Sequence, residues 1–325
     1  MLKSMVVLLA GAMAAGAASA QKEKISFAYL VDPVYQAALW PLQTGKIASD
    51  VVEVELKPID ITAALQATPA KSYDAIMTAV AGIPVAKSRG LDLVVIATAY
   101  RAHPKGGGYD IFVRSDSPLR TLADLKGKTL GNFALQATVT TQMRIALWRK
   151  HGVNTAYSGG DYNWVEMPSA ALPGALLSGR IDAATLLNTQ AWLAENDSKF
   201  RVLQRLGLDV REVFEGPPAA AVHVSYPEKL AARPAAYREF GRLLKASVDY
   251  MHANRESVFA AMAAQTKTDP ALFRYFYDGY AQVPMAVSNS DIVSFEKLWS
   301  FSKEMGLIKS YPDPSSVIWS GAIRE

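Results

Sequence analysis

The chain contains no cysteine. That excludes disulfides, thiolate metal sites, thiol catalysis and a lipid-modified N-terminal cysteine, so stability has to come from packing. Histidine is scarce. His103, His151, His223 and His252 lie far apart, with no H-E-x-x-H or other metal-ligand spacing. His223 sits in an apolar strand pattern and reads as a core residue. There is no G-x-S-x-G elbow, no P-loop and no G-x-G-x-x-G. The Gly106-Gly107-Gly108 run lacks the strand–helix setting of a phosphate loop. No cofactor or metal is implied. Lys and Arg number 34 against 30 Asp and Glu, without any basic block, so nucleic acid is not an expected partner.

What is present is a chain of 325 residues, half of them hydrophobic, enough for two lobes. Residues 1–20 read as a signal peptide. Lys3 supplies the positive start, residues 5–18 are apolar, and Ala18-Ser19-Ala20 forms an A-x-A cleavage site. The run is too short and too rich in small residues for an anchor, and no later stretch is long and apolar enough to span a bilayer. Cleavage near Ala20 removes Lys3 and leaves a net charge of +3. The expected product is a monomeric periplasmic protein exported by the Sec route, with a weak preference for anionic ligands.

The mature chain alternates strands and helices at βαβ spacing. Strands are predicted at 24–31, 51–56, 73–78 and 91–99, with helices at 34–42, 61–67 and 83–89. Pro41 should end or kink the first helix. After the triglycine come a strand at 109–114 and a second series: strands 129–134, 162–167, 181–187 and 200–203, with helices 139–151, 170–177 and 189–196. Gly152 suits a left-handed helix end. Gly216-Pro217-Pro218 marks a second break, and strand 219–224 carries the chain back. Helices follow at 227–232, 234–254, 255–265, 269–278 and 291–305. Two helices each feed an "[I/Y]-D-A" strand, at Asp74 and at Asp182, a faint internal repeat.

In open parallel sheets, ligands sit beyond the carboxyl ends of the strands. That rule selects Asp32, Tyr35, Thr78, Ala79, Val80 and Tyr100 in the first series, with Trp40 as a further aromatic. In the second it selects Gln136, Ala137, Thr138, Asn188 and Thr189. These side chains hydrogen-bond and stack; few do acid–base work at neutral pH, so they suit a binding pocket better than an active site. Thr138 stands out, because it opens a long helix whose N-terminus exposes backbone N–H donors. Each also has a plainer role open to it: a cap for Asn188, Thr189 and Thr138, a turn for Asp32, core packing for Tyr35, Trp40 and Tyr100.

Residues 116–131, D-S-P-L-R-T-L-A-D-L-K-G-K-T-L-G, resemble the signature run of the nitrate/sulfonate/taurine substrate-binding proteins of ABC importers. The Pro-Val-Tyr start of the first helix, the Asp74 strand and A-L-L-S-G-R-I-D-A at 175–183 agree in order. The resemblance implies an α/β, two-lobed periplasmic binding protein fold (type II). Each lobe would be a mostly parallel sheet flanked by helices, joined by two crossover strands, 109–114 and 219–224. Lobe 1 would comprise 21–108 and 219–325, and lobe 2 would comprise 109–218. It further implies a non-enzymatic solute-binding role: a small organic anion, of sulfonate or aromatic carboxylate type, enclosed by hinge closure and delivered to an inner-membrane permease and its ATPase. The alternatives are an enzyme on the same scaffold, related to thiamine-pyrimidine precursor synthesis, and a ligand-sensing partner of a membrane receptor. The sequence departs from the family at Pro41, at Leu39-Trp40 and at Gln136-Ala137-Thr138. At the last, many members have a Gly-Ser or Gly-Thr corner. Arg101, just after Tyr100, is the one basic residue near the candidate positions. Nitrate, sulfonates, aromatic carboxylates and heterocyclic vitamin precursors therefore all stay open.

Overall fold

A computed structural model describes residues 21–325, apart from the side chains of Ile61, Thr62 and Leu65. The expected signal peptide lies outside the described residues. The first series runs β1 (Glu23–Leu30), α1 (Pro33–Gln43), β2 (Val52–Ile59), α2 (Ile61–Ala70), β3 (Ala75–Ala79), α3 (Gly82–Ser88) and β4 (Val94–Ala102). Ile25, Phe27 and Ala28 of β1 are fully enclosed, as the unbroken apolar run predicts. Pro41 ends α1 within a turn, and the Ile47 N–H donates back to the Pro41 carbonyl at 3.0 Å.

The second series is β5 (Asp110–Arg114), β6 (Thr129–Asn132), α4 (Thr138–His151), β7 (Asn163–Glu166), α5 (Leu172–Leu177), β8 (Ala183–Thr185), α6 (Asn188–Glu195), β9 (Phe200–Arg205) and α7 (Gly207–Val213). Then come β10 (Ala219–Ser225), α8 (Pro227–Ala232), α9 (Pro234–Ala253), α10 (Arg255–Thr266), α11 (Pro270–Tyr275), β11 (Ala281–Gln282) and α12 (Asn289–Glu304). Helix α9 packs on α1 and on the first sheet and buries Tyr237, Phe240, Leu244 and Met251, a helical stripe that is plain in the sequence. Among the described residues no helix is long and apolar enough to cross a membrane.

The two sheets share one plan. The first is ordered β11-β4-β10-β3-β1-β2 and the second β7-β6-β8-β5-β9. In each, one strand runs antiparallel between its neighbours, and in the first sheet that strand arrives only after the second series is complete. β10 lies between β3 and β4, and β5 lies between β8 and β9. The remaining principal pairs, β1 with β2 and β3, and β6 with β7 and β8, are parallel. The two-lobed sheet-and-helix fold is therefore present, with mixed rather than purely parallel sheets.

The internal repeat has a physical meaning. Asp74 Oδ2 accepts the Ser26 N–H at 2.9 Å, and Asp182 Oδ2 accepts the Thr129 N–H at 2.8 Å. In return the Asp74 and Asp182 N–H groups each donate to the same partner's carbonyl at 3.0 Å. Each aspartate thus pins the strand it precedes to a parallel neighbour, β3 to β1 and β8 to β6.

Several boundaries differ from the sequence reading. β4 begins at Val94 rather than at 91, because Gly90 turns the chain in the left-handed region. β6 stops at Asn132, whose side chain accepts the Ala134 N–H and bends the chain toward α4. Helix α7 was not anticipated, since it opens on glycine with no side-chain cap and buries little beyond Gly207 and Val210. The helix expected over 269–278 ends at Tyr275 and widens into a π-turn at Phe276–Tyr280.

The triglycine serves backbone contact. A Cβ on Gly107 would stand 2.1 Å from the Gly279 carbonyl oxygen, and the carbonyl oxygen of Gly106 lies where a Cβ on Gly207 would be. Immediately afterwards Tyr109 adopts φ +62, and before β10 Glu215 adopts φ +57. Left-handed non-glycine residues therefore precede both crossover strands. Asp110, the first residue of β5, is buried and paired with Arg205 at 2.9 Å, which also holds Glu195. Burial dominates and raises Asp110 to about 7 despite Arg205. A carboxyl raised in the folded state contributes stability below its unfolded pKa, which is lost as pH rises to about 7. Asp110→Asn is therefore expected to raise the melting temperature at pH 8, by about 1–4 kcal/mol of stability, with little change at pH 4. Equal effects at both pH values in thermal melts would refute this.

Candidate functional site

The site begins where β1 ends. Asp32 has an extended backbone and caps α1, its Oδ1 accepting the Val34 N–H at 3.0 Å, while Pro33 fills the first helical position. The other oxygen, Oδ2, accepts Asn188 Nδ2 at 2.6 Å. Asn188 opens α6, so this bond joins the two sheet-and-helix units. Asn188 is left-handed at φ +46, a conformation asparagine tolerates better than most residues. Its backbone N–H donates to Tyr280 Oη at 3.0 Å, a second bond between the units.

Aromatic rings surround this junction. Tyr100 lies 5.0 Å from Tyr35 and 5.9 Å from Phe276, centroid to centroid, and Phe276 lies 5.0 Å from Tyr277 and 5.7 Å from Tyr280. Tyr277 Oη donates to the Val34 carbonyl at 2.8 Å. The Tyr35 hydroxyl hydrogen-bonds His223 Nε2. Burial pushes His223 down to about 3, so the imidazole is neutral. Asp32 is close enough to raise Tyr100 and Tyr277 further above the ordinary phenol range, in addition to the effect of their burial. Asp32 itself is raised by burial, against the hydrogen bonds from Asn188 and the α1 backbone.

Three polar atoms here are unmatched: His223 Nδ1 and two hydroxyls, Tyr100 Oη and Thr189 Oγ1, are buried without a hydrogen-bond partner among the described residues. Buried hydroxyls are ordinarily paired, and each exception asks for an explanation. Both hydroxyls belong to residues singled out by the strand-end rule, one on each side of the Asp32–Asn188 bond.

A second contact lies at α3 and α4. The Ala81 N–H at the start of α3 donates to Thr138 Oγ1 at 3.1 Å. Thr138 is buried and occupies the first helical position rather than the cap, which falls to Ala137. Deeper in α4, Gln142 accepts from Tyr109 Oη at 2.7 Å and donates to the Ala219 carbonyl at 2.9 Å. One side chain thus ties α4 to the entry of both crossover strands.

The sequence-selected residues therefore separate into groups. Asp32, Tyr35, Tyr100 and Asn188 meet at the first junction, with Thr189 next to it. Ala137, Thr138 and the chain leaving β3 through Ala79 and Val80 meet at the second. Val80 is fully enclosed, its carbonyl accepting from Trp299 Nε1. Thr78 pairs with Val222 inside the sheet. Gln136 is exposed. Trp40 lies eight residues along α1 from Asp32, roughly 12 Å by helical rise, away from both junctions. Arg101 faces away from Tyr100, since successive strand residues alternate. Its guanidinium makes a two-pronged contact with Asp291 at 2.7 and 2.8 Å and also reaches Ser288 and Glu325. Phe276, Tyr277, Tyr280 and Gln142 were not singled out from the sequence. The aromatic density of F-R-Y-F-Y-D-G-Y at 273–280 was the available signal. Among the described residues no cluster of His, Asp and Glu is arranged to hold a metal ion.

Comparison with curated protein sequences gives no match. Solved structures share the fold over nearly the whole chain. The periplasmic aliphatic sulphonate binding protein SsuA from Escherichia coli is 18% identical, with a TM-score of 0.72 over 94% of both chains. The alkanesulfonate-binding protein SsuA from Xanthomonas axonopodis pv. citri, bound to MOPS, is 17% identical, with a TM-score of 0.70 over 94% of this chain and 100% of that one. The Candida albicans CA3427 gene product, described as having the generic periplasmic binding protein fold, is 10% identical, with a TM-score of 0.68 over 93% and 98%. At these identities the likeness establishes the periplasmic binding protein fold. The family model described as NMT1/THI5 like matches residues 50–258, and the chain belongs to that family.

Proposed function

We propose that the protein is a solute-binding protein that encloses a small aromatic or heteroaromatic molecule between two lobes, 21–108 with 219–325 and 109–218. The ligand would be passed to an inner-membrane permease and its ATPase, after export to the periplasm. The observation that carries this reading is the pair of unmatched buried hydroxyls, Tyr100 Oη and Thr189 Oγ1. They flank a hydrogen bond that joins the two lobes and are ringed by tyrosines and Phe276. Rings give stacking area, and hydroxyls that point at no protein atom give directional recognition. The SsuA structures are named for sulfonates, which keeps an organic anion within the class to be tested.

The same groups offer little to an enzyme. His223 is neutral and held by Tyr35, and burial raises the tyrosines at the junction away from neutral titration. No paired acid and base with separated pKa values stand there.

Ligand-driven closure requires contacts made in the closed form and not in the open one. The Asp32–Asn188, Asn188–Tyr280 and Ala81–Thr138 bonds join the lobes without a ligand, so the ligand has to add contacts of its own to both lobes. A ligand at a hundred times its Kd would add about 2.7 kcal/mol to stability. Screening aromatic solutes by thermal shift, followed by calorimetry, should find such a ligand and no turnover. Tyr100→Phe and Thr189→Val should each weaken it by about 1–3 kcal/mol; unchanged affinity in both variants would remove the basis of the reading. Thr138→Val leaves the Ala81 N–H unmatched on closure, at a similar cost of about 1–3 kcal/mol. Small-angle scattering of that variant should show a larger radius of gyration than the wild type. Identical scattering curves would mean the Ala81–Thr138 bond does not hold the lobes together.

A further inference from the structure

Resting on that reading, the charge around the first junction points to the class of ligand. Asp32 is the carboxylate that the aromatic cluster encloses. One oxygen is committed to the α1 backbone and the other takes an amide N–H from Asn188. Its position on Oδ2 shows what that oxygen accepts: a nitrogen donor. A desolvated carboxylate gains most from a donor that also carries positive charge. The faces of Tyr35, Tyr100, Phe276, Tyr277 and Tyr280 are electron-rich and favour the same partner.

Nothing else nearby supplies that charge. Arg101 is bound by Asp291, Ser288 and Glu325. Arg255, which faces Tyr277 electrostatically, is paired with Asp278. His223 is neutral. An anionic group placed against Asp32 would meet a like charge in poorly hydrated surroundings, which outweighs what a helix N-terminus returns. Three helix N-termini each have one donor engaged by a protein group, while α4 opens without a side-chain cap. Asp32 caps α1, the Ala81 N–H at α3 is taken by Thr138, and the Asn188 N–H at α6 is taken by Tyr280.

We infer that the ligand is an aromatic compound bearing a protonated nitrogen, which binds Asp32 Oδ2 in the place of the Asn188 side chain. The class is an organic cation, opposite in charge to the sulfonates named for the SsuA structures.

The test uses probes matched ring for ring: aromatic amines such as tyramine and tryptamine, the corresponding carboxylates 4-hydroxyphenylacetate and indole-3-acetate, the neutral amides, and aryl sulfonates. Binding to the full mature chain is read by thermal shift and calorimetry. The expected result is at least tenfold tighter binding of the amine than of the carboxylate or sulfonate on the same ring. In Asp32→Asn, which keeps the helix cap because asparagine caps as well as aspartate, amine affinity should fall at least tenfold while amide affinity holds. Tighter binding of carboxylates or sulfonates than of the matched amine overturns the inference and leaves the solute-binding reading intact. So does an unchanged amine affinity in a folded Asp32→Asn. If no member of any charge binds a cooperatively melting protein, the aromatic-solute reading fails and the inference falls with it. The wild-type comparison decides the charge class even if the variant does not fold.

Discussion

The structure depends on the antiparallel strand that completes each sheet, which for the first sheet arrives only after the chain has built the second. β10 fills the gap between β3 and β4, and β5 fills the gap between β8 and β9. The first sheet is not continuous without β10, so the segment before residue 109 cannot complete its sheet until the chain has returned from the second. The two connections run close together, and Gln142 touches both by bonding Tyr109 and Ala219. Any relative motion of the lobes has to pass through this narrow region, where Tyr109 and Glu215 hold left-handed conformations. The close glycine contacts at 106–108 keep the region thin. The opposed surfaces beside it are the carboxyl ends of the parallel strands, because the βαβ units of both sheets point that way.

That constraint explains why a rule about strand ends selected several residues that meet at one junction. Asp32, Asn188 and Thr189 follow the ends of β1 and β8, and Tyr100 lies near the end of β4. The same rule also selected Thr78 and Val80, which remain in sheet and core contacts, since it fixes a neighbourhood and not the direction of a side chain. Phe276, Tyr277 and Tyr280 escaped it because they follow no strand. They reach the junction through a π-turn after α11, and such a turn has the local composition of a helix. Gln142 is equally illegible in sequence: a glutamine in a helix is ordinary until the crossover strands are placed over it. The paired roles of Asp74 and Asp182 show the opposite case, a weak repeat whose meaning becomes plain once both strand registers are known.

Helix N-termini at the cleft are the usual argument for an anion in a fold of this kind. Here that argument weakens on inspection of individual donors. The α1 donor at Val34 is capped by Asp32, the α3 donor at Ala81 by Thr138, and the α6 donor at Asn188 by Tyr280. In two of these three cases the acceptor lies on the opposite lobe, so the donors contribute to closure before any ligand is considered. An anion using these three donors would have to displace a protein acceptor from each, beside the Asp32 carboxylate, whereas α4 opens without a side-chain cap. Unmatched groups are different in kind: the hydroxyls of Tyr100 and Thr189 donate or accept, and carry no charge. The bonds at α3 and α6 join the lobes, and the hydroxyls, ring faces and carboxylate beside them are the groups left for the proposed solute.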